Sequence, residues 1–270
     1  MPAIYAHRAF GKDAAALLER GALPEIAACP ASFALGLHGP DALFYFHPLT
    51  KNAVNLHGEA LHSQSAAPFF TAARALYRQR GARAADKAYL LGFVCHFALD
   101  SACHAEVAAQ MERTALSHTA VEAAFERWML LRDGLVPERA HIAGHLRATR
   151  ENISALAAYC SVTERQAKKC IRSMVRNSRL LRAPNAVKRA LLCAALRLAG
   201  SRSVIDMIVP AADTPAAVGA AKVLGACYER ALKKAAELME NYSAFLAGEA
   251  ELDGRFSSNY ESEELLCSNG

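Results

Sequence analysis

In the run His96-Phe97-Ala98-Leu99-Asp100-Ser101-Ala102-Cys103-His104, three ionisable side chains recur at four-residue intervals inside an otherwise apolar segment. On an α-helix a four-residue step advances about 400°, so His96, Asp100 and His104 share one face with roughly 40° of drift per turn. A helix that is apolar on its other faces belongs in a core. Two imidazoles and a carboxylate buried there are costly unless a metal ion or a hydrogen-bond network satisfies them. Cys95 and Cys103 lie about 100° off that face and read as small packed side chains.

The rest of the chain has to supply that core, and its pattern is helical. Alanine and leucine dominate the 270 residues while glycine and proline are sparse, a balance that favours helices over strands. Periodicity and breakers predict helices over 12–20, a short run ending near Cys29-Pro30, then 68–80, 84–111, 114–132, 138–159, 163–177, 184–198 and 214–247. Asn185 and Thr214-Pro215 read as helix starts. From Phe33 to His62 the breakers Gly36, Gly39, Pro40, Pro48, Asn52, Asn55 and Gly58 predict a structured loop with short helical turns, holding His38, Asp41, His47, His57 and His62. No convincing strand alternation, fixed-period repeat or twenty-residue apolar span occurs. The expected fold is all-α, a single multi-helix bundle over 1–247, with a disordered acidic tail over 248–270.

The eight cysteines are scattered without a CxxC pair and read as reduced intracellular thiols. The N-terminus has no basic region followed by an unbroken apolar run, so neither a signal peptide nor a membrane anchor is expected, and the chain reads as soluble and cytoplasmic. The net charge of +5 is unevenly spread: Arg165 to Arg202 holds eleven Lys or Arg and no acid. That run is either the solvated face of one or two helices or a patch for an anionic membrane surface or nucleic acid.

A second pair, His118 and Glu122, again stands four apart on the next helix. Antiparallel helices joined by a short turn pack side by side, so both sets can face one interior. Their five ligand-type residues exceed what one four-coordinate ion needs and suggest more than one metal, with His7, Asp41 and His62 as further ligands or a base. Mixed histidine and carboxylate ligation without thiolates suits catalytic zinc. His38 and His47 read as structural or loop-bonding residues, and His141 with His145 as a solvent-facing helix pair.

Tyr5-Ala6-His7 with Phe10-Gly11, Gly36-Leu37-His38-Gly39-Pro40-Asp41, Leu61-His62, Cys95-His96-Phe97-Ala98-Leu99-Asp100 with His104, and His118 with Glu122 follow one another in order. Over residues 3 to 125 this series resembles the zinc-dependent phospholipase C family, which shares its site with fungal single-strand nucleases. The resemblance implies an all-α bundle whose cleft holds up to three zinc ions. It implies that His62, His96 and Asp100 hold one ion, with Asp100 bridging to another. It implies that His104, His118 and Glu122 hold a second, that His7 with the chain's own N-terminal amine and carbonyl holds a third, and that Asp41 is the general base or orienter. Both His57 and His62 can fill the loop histidine position, and His62 is preferred because Pro68-Phe69-Phe70 follows it. The interval from Asp100 to His104 is shorter than in the secreted members, and the chain starts Met-Pro where they start, once processed, with tryptophan.

The expected function is hydrolysis of phosphodiesters, foremost phospholipid headgroups, by a metal-activated water. Single-stranded nucleic acid is the alternative substrate, guided by the basic region. A non-catalytic helical binding protein stabilised by zinc is the third reading.

Overall fold

The computed structural model describes residues 3–19 and 21–261, and among them every regular element is helical. In chain order the α-helices are α1 (Ile4–Ala15), α2 (Pro24–Ala28), α3 (Pro30–Gly36), α4 (Ala53–Ser63), α5 (Ala66–Gln79), α6 (Ala84–Thr114), α7 (His118–Arg132), α8 (Arg150–Tyr159), α9 (Glu164–Leu181), α10 (Ala186–Leu198), α11 (Arg202–Ile205) and α12 (Pro215–Ala247). Tight 3-10 turns occupy Gly39–Tyr45, Pro137–Arg139 and Gly254–Ser257.

Helix α6 is the axis of the bundle. Every residue from Ala88 to Cys103 is buried, and α12, α3, α1 and α7 pack around it, as a helix apolar on all sides requires. Helix α3 approaches it closely because glycine lets it. A Cβ at Gly36 would stand 2.0 Å from the Tyr89 carbonyl oxygen, and one at Gly92 would stand 2.3 Å from that of Phe33. This contact holds the turn after α3, which carries Asp41, against the middle of α6.

Local signals set the ends of these helices. Ser117 accepts a hydrogen bond from the Ala120 N–H at the start of α7, Asn185 from that of Lys188 at α10, and Thr214 from that of Ala217 at α12. Thr163 and Gln166 form a reciprocal capping box at α9. Each such cap contributes about 1 kcal/mol. No helix among the described residues is long and apolar enough to cross a membrane. Seven cysteines are described as free thiols.

Four expectations of the sequence are corrected. The first helix begins at Ile4 rather than near residue 12, because the α1 N-terminus is capped by a side chain from α7 described below. The segment 33–62 is more helical than a loop: the Asn52 side chain accepts from the Val54 and Asn55 N–H groups and starts α4. The expected helix over 138–159 forms only from Arg150, where the Thr149 hydroxyl accepts from Asn152 N–H; His141–Leu146 is a chain of tight turns. The tail is ordered further than composition implied. Phe256 and Tyr260 are buried, Ala66 N–H donates to the Ser258 carbonyl, and Tyr260 N–H donates to that of His62. Residues 262–270 of that tail lie outside the described residues.

Candidate metal centre

Five elements deliver the predicted residues to one place. Helix α6 contributes His96, Asp100 and His104 from successive turns, and α7 contributes His118 and Glu122. Helix α4 presents His62, whose Nδ1 is 2.8 Å from the Gly58 carbonyl oxygen. The 3-10 turn presents Asp41 and meets α6 through Gly39, which has φ +41° and where a Cβ would lie 2.3 Å from His96 Cδ2. Only glycine allows both that φ and that approach. Helix α1 presents His7, and its entry angle is set by Glu126 of α7, whose buried carboxylate accepts from the Tyr5 and Ala6 N–H groups at 2.7 and 2.9 Å.

Asp100 is the hub. Its Oδ1 is 3.2 Å from His7 Nε2, and its Oδ2 is 3.3, 3.7 and 4.0 Å from the Nε2 atoms of His96, His62 and His104. Asp41 Oδ1 is 3.0 Å from His62 Nε2. Ligand atoms of Asp41, His62, His96 and Asp100 all fall within 4.8 Å of one another, and so do those of His104, His118 and Glu122. Glu122 Oε1 lies 3.2 Å from His118 Nε2 and 3.9 Å from His104 Nε2. The first group is buried, whereas the His118 side chain is 43% exposed.

Several atoms of the cluster are near one another yet misaligned for hydrogen bonding. Asp41 Oδ1, His62 Nε2, His96 Nε2, Asp100 Oδ2, His104 Nε2 and Glu122 Oε2 are all buried with no hydrogen-bond partner. At about 1–3 kcal/mol for each unsatisfied buried group, they would together cost as much as the whole stability of an ordinary domain, about 5–15 kcal/mol. Donor and acceptor atoms that converge on shared points without addressing one another fit cations held between them. Two of the far ring nitrogens agree: His62 Nδ1 faces the Gly58 carbonyl oxygen and His104 Nδ1 that of Tyr260, both at 2.8 Å. A proton on each Nδ1 leaves the Nε2 lone pair free to bind a metal.

The protonation balance of these side chains among themselves is strongly perturbed. Burial raises the Asp100 carboxyl, but His96, His104 and His7 outweigh it and hold Asp100 well below the usual carboxylate range. Asp41 is likewise lowered against its own burial by His96 and His62. Burial takes His96 down to about 4. His7 and His62 are raised because Asp100 and Asp41 overcome their burial, and His118 is raised by its hydrogen bond to Glu122.

All eight residues singled out from sequence, His7, Asp41, His62, His96, Asp100, His104, His118 and Glu122, meet here, while His57 falls in neither group. The N-terminal amine and carbonyl lie outside the described residues. His38 is buried and pairs with His145, Nε2 to Nε2 at 2.8 Å, so His145 is neither helical nor a solvent-facing partner of His141, as the sequence suggested. His47 contacts Lys169, and His141 contacts Arg182. Sequence reasoning missed Tyr260, whose ring packs on His62, His96 and Phe97 and whose carbonyl orients His104. Its one signal was the spacing of Phe256 and Tyr260, the two aromatics of 248–270, four residues apart. Glu126 was missed as well, being one turn beyond Glu122 on the same helix face.

Comparison with known proteins returns one family model, described as zinc dependent phospholipase C, matching residues 6–176. No curated protein and no solved structure matches the chain.

Proposed function

The chain belongs to the zinc-dependent phospholipase C family, and from that premise we propose that it hydrolyses phosphodiesters, foremost the headgroup ester of phospholipids. The observation that carries the reading is Asp100, one carboxylate within 4.0 Å of four histidines. His62, His96 and Asp100 would hold one zinc, and His104, His118 and Glu122 a second. His7, on the other Asp100 oxygen, would serve a third. When bound, zinc supplies an acidified water and positive charge for the phosphoryl oxygens.

The protein's own residues do the rest. Asp41 is buried, stands 3.0 Å from His62 and carries an oxygen without a hydrogen-bond partner, so its Oδ1 is placed to orient an attacking water or take its proton. Gly58 and Tyr260 hold the His62 and His104 rings in the ligating tautomer. The more exposed group containing His118 gives the substrate phosphate its way in. The test measures bound zinc in the purified protein together with hydrolysis of a phospholipid, a soluble phosphodiester and single-stranded DNA, each with and without chelator. The expected result is more than one zinc per chain and phospholipid hydrolysis that chelation abolishes. Zinc-loaded protein that cleaves none of the three would leave only a structural metal and overturn the reading. Preference for DNA would replace the substrate.

A further inference from the structure

A cavity of about 670 Å³ lies beside the metal centre, not within it. Its wall includes Phe44, Leu181, Leu192, Leu196, Val204 and Met207, drawn from the 3-10 turn, α9, α10 and the segment around α11. Of these, Leu181, Leu192, Leu196, Val204 and Met207 lie beyond the span that matches the family model. Phe44 joins the two places: it lines the cavity, and its ring stacks on His62 at 5.3 Å between centroids. Ile4, another wall residue, precedes His7 by one turn of α1.

The charges around the cavity are mostly positive. Lys169, Arg176 and Arg182 belong to its lining, and the acid there, Glu138, is already held by Arg127 at 2.9 Å. The α9 positions Arg165, Lys168, Lys169, Arg172, Arg176 and Arg179 fall within about 100° of one another around the helix, so the α9 part of the basic run is one stripe, which reaches the cavity at Lys169 and Arg176. Apolar side chains are exposed beside it. Leu49 and Leu180 line the cavity and are 74% and 59% exposed. On α10, Val187, Leu191 and Leu198 are 70%, 67% and 90% exposed and lie within about 40° on the side away from Leu192 and Leu196. Helix α10 therefore shows apolar residues both to the cavity and to solvent, with Lys188, Arg189 and Arg197 between them. A helix seated in the headgroup layer of an anionic bilayer combines such exposed apolar residues with flanking cations.

We propose that the cavity is an acyl-chain site: one chain of a bilayer phospholipid enters past Leu49 and Leu180 while its phosphodiester reaches the metal centre on the other side of Phe44. The volume lies within the range of small-molecule sites, about 300–1,000 Å³. A largely apolar cavity with cations in its lining and the metal centre behind one wall suits an anionic amphiphile. The inference rests on the phospholipid reading for the position of the headgroup, but the binding of the chain stands apart from catalysis.

The test uses two fluorescent single-chain phosphodiesters below their micelle concentrations, one with a long acyl chain and one with a short one, titrated into the zinc-loaded protein and into Leu196→Trp and Met207→Trp variants. Each buried methylene contributes about 0.8 kcal/mol, so the long-chain probe should bind at least about tenfold more tightly, and filling the cavity should remove most of that difference. Wild-type affinity independent of chain length overturns the proposal without relying on any variant. So does chain-length dependence that persists in variants with wild-type circular dichroism and zinc content. Saturable, chain-dependent binding without hydrolysis of any phosphodiester would keep the acyl site and sink the catalytic reading. Hydrolysis without chain-dependent binding would do the reverse.

Discussion

The two halves of the metal centre use the same residue types in different surroundings. Asp41, His62, His96 and Asp100 are buried, whereas His104, His118 and Glu122 run from the interior to a His118 side chain that is 43% exposed. In the buried half a carboxylate without a cation is penalised heavily, so metal and protein are interdependent there. At the rim water can stand in for a missing ligand. The same coordination chemistry should therefore be structurally decisive in one half and adjustable in the other.

The largest effect is expected at the residue that joins the halves. Asp100→Ala should bring zinc content close to zero and hydrolysis below detection, whereas His118→Ala should keep zinc in the buried half; equal zinc loss in both variants would break the contrast. Next in size is Asp41→Asn, which removes a base but leaves His62, His96 and Asp100 in place. Turnover should fall about 10²–10⁴-fold with zinc content unchanged, and loss of zinc instead would make Asp41 chiefly a ligand. Ending the chain after Leu252 removes the Tyr260 carbonyl that orients His104. Zinc affinity at the rim should weaken by about 10–100-fold, read by competition with a chromophoric chelator.

Acid should act on both halves through the imidazoles. His7, His62 and His118 hold their protons above the usual imidazole value of 6.5 in the metal-free cluster, and each must lose its proton to bind zinc. Zinc retention after dialysis should thus fall as pH drops, beginning above about pH 6.5; retention unchanged down to about pH 5 would contradict the assigned ligands. The smallest effect is expected at Glu126→Gln. The new amide cannot accept from both Tyr5 and Ala6, which should cost about 1–3 kcal/mol in denaturant unfolding and shift His7 more than any rim residue.

How well the sequence conveyed the site depended on whether a residue's role was local. The His96, Asp100 and His104 face follows from helix geometry alone, and the His118–Glu122 pair likewise. The shorter Asp100-to-His104 interval is compatible with the site, since His104 Nε2 lies within 4.0 Å of both Asp100 and Glu122. By contrast, Tyr260 reaches His104 across 156 residues, and Glu126 reaches Tyr5 across 121. A carbonyl or a carboxylate used at such a distance leaves no periodicity to read. The failed helix at 138–146 has the same origin: Arg182 and His38 take up His141 and His145, and tertiary contacts override a modest helical preference.

By itself the sequence determined that the chain is all-α, that one buried helix carries two histidines and an aspartate on one face, and which residues are suited to ligate a metal. Those properties follow from residue chemistry and a fixed helical period. Only the tertiary structure decided that Asp100 faces four histidines at once, that the polar tail closes over the site through Tyr260, and that an apolar cavity lies one phenylalanine ring away. Such relations depend on which surfaces pack together, and packing is settled by the sum of many weak contacts across the chain.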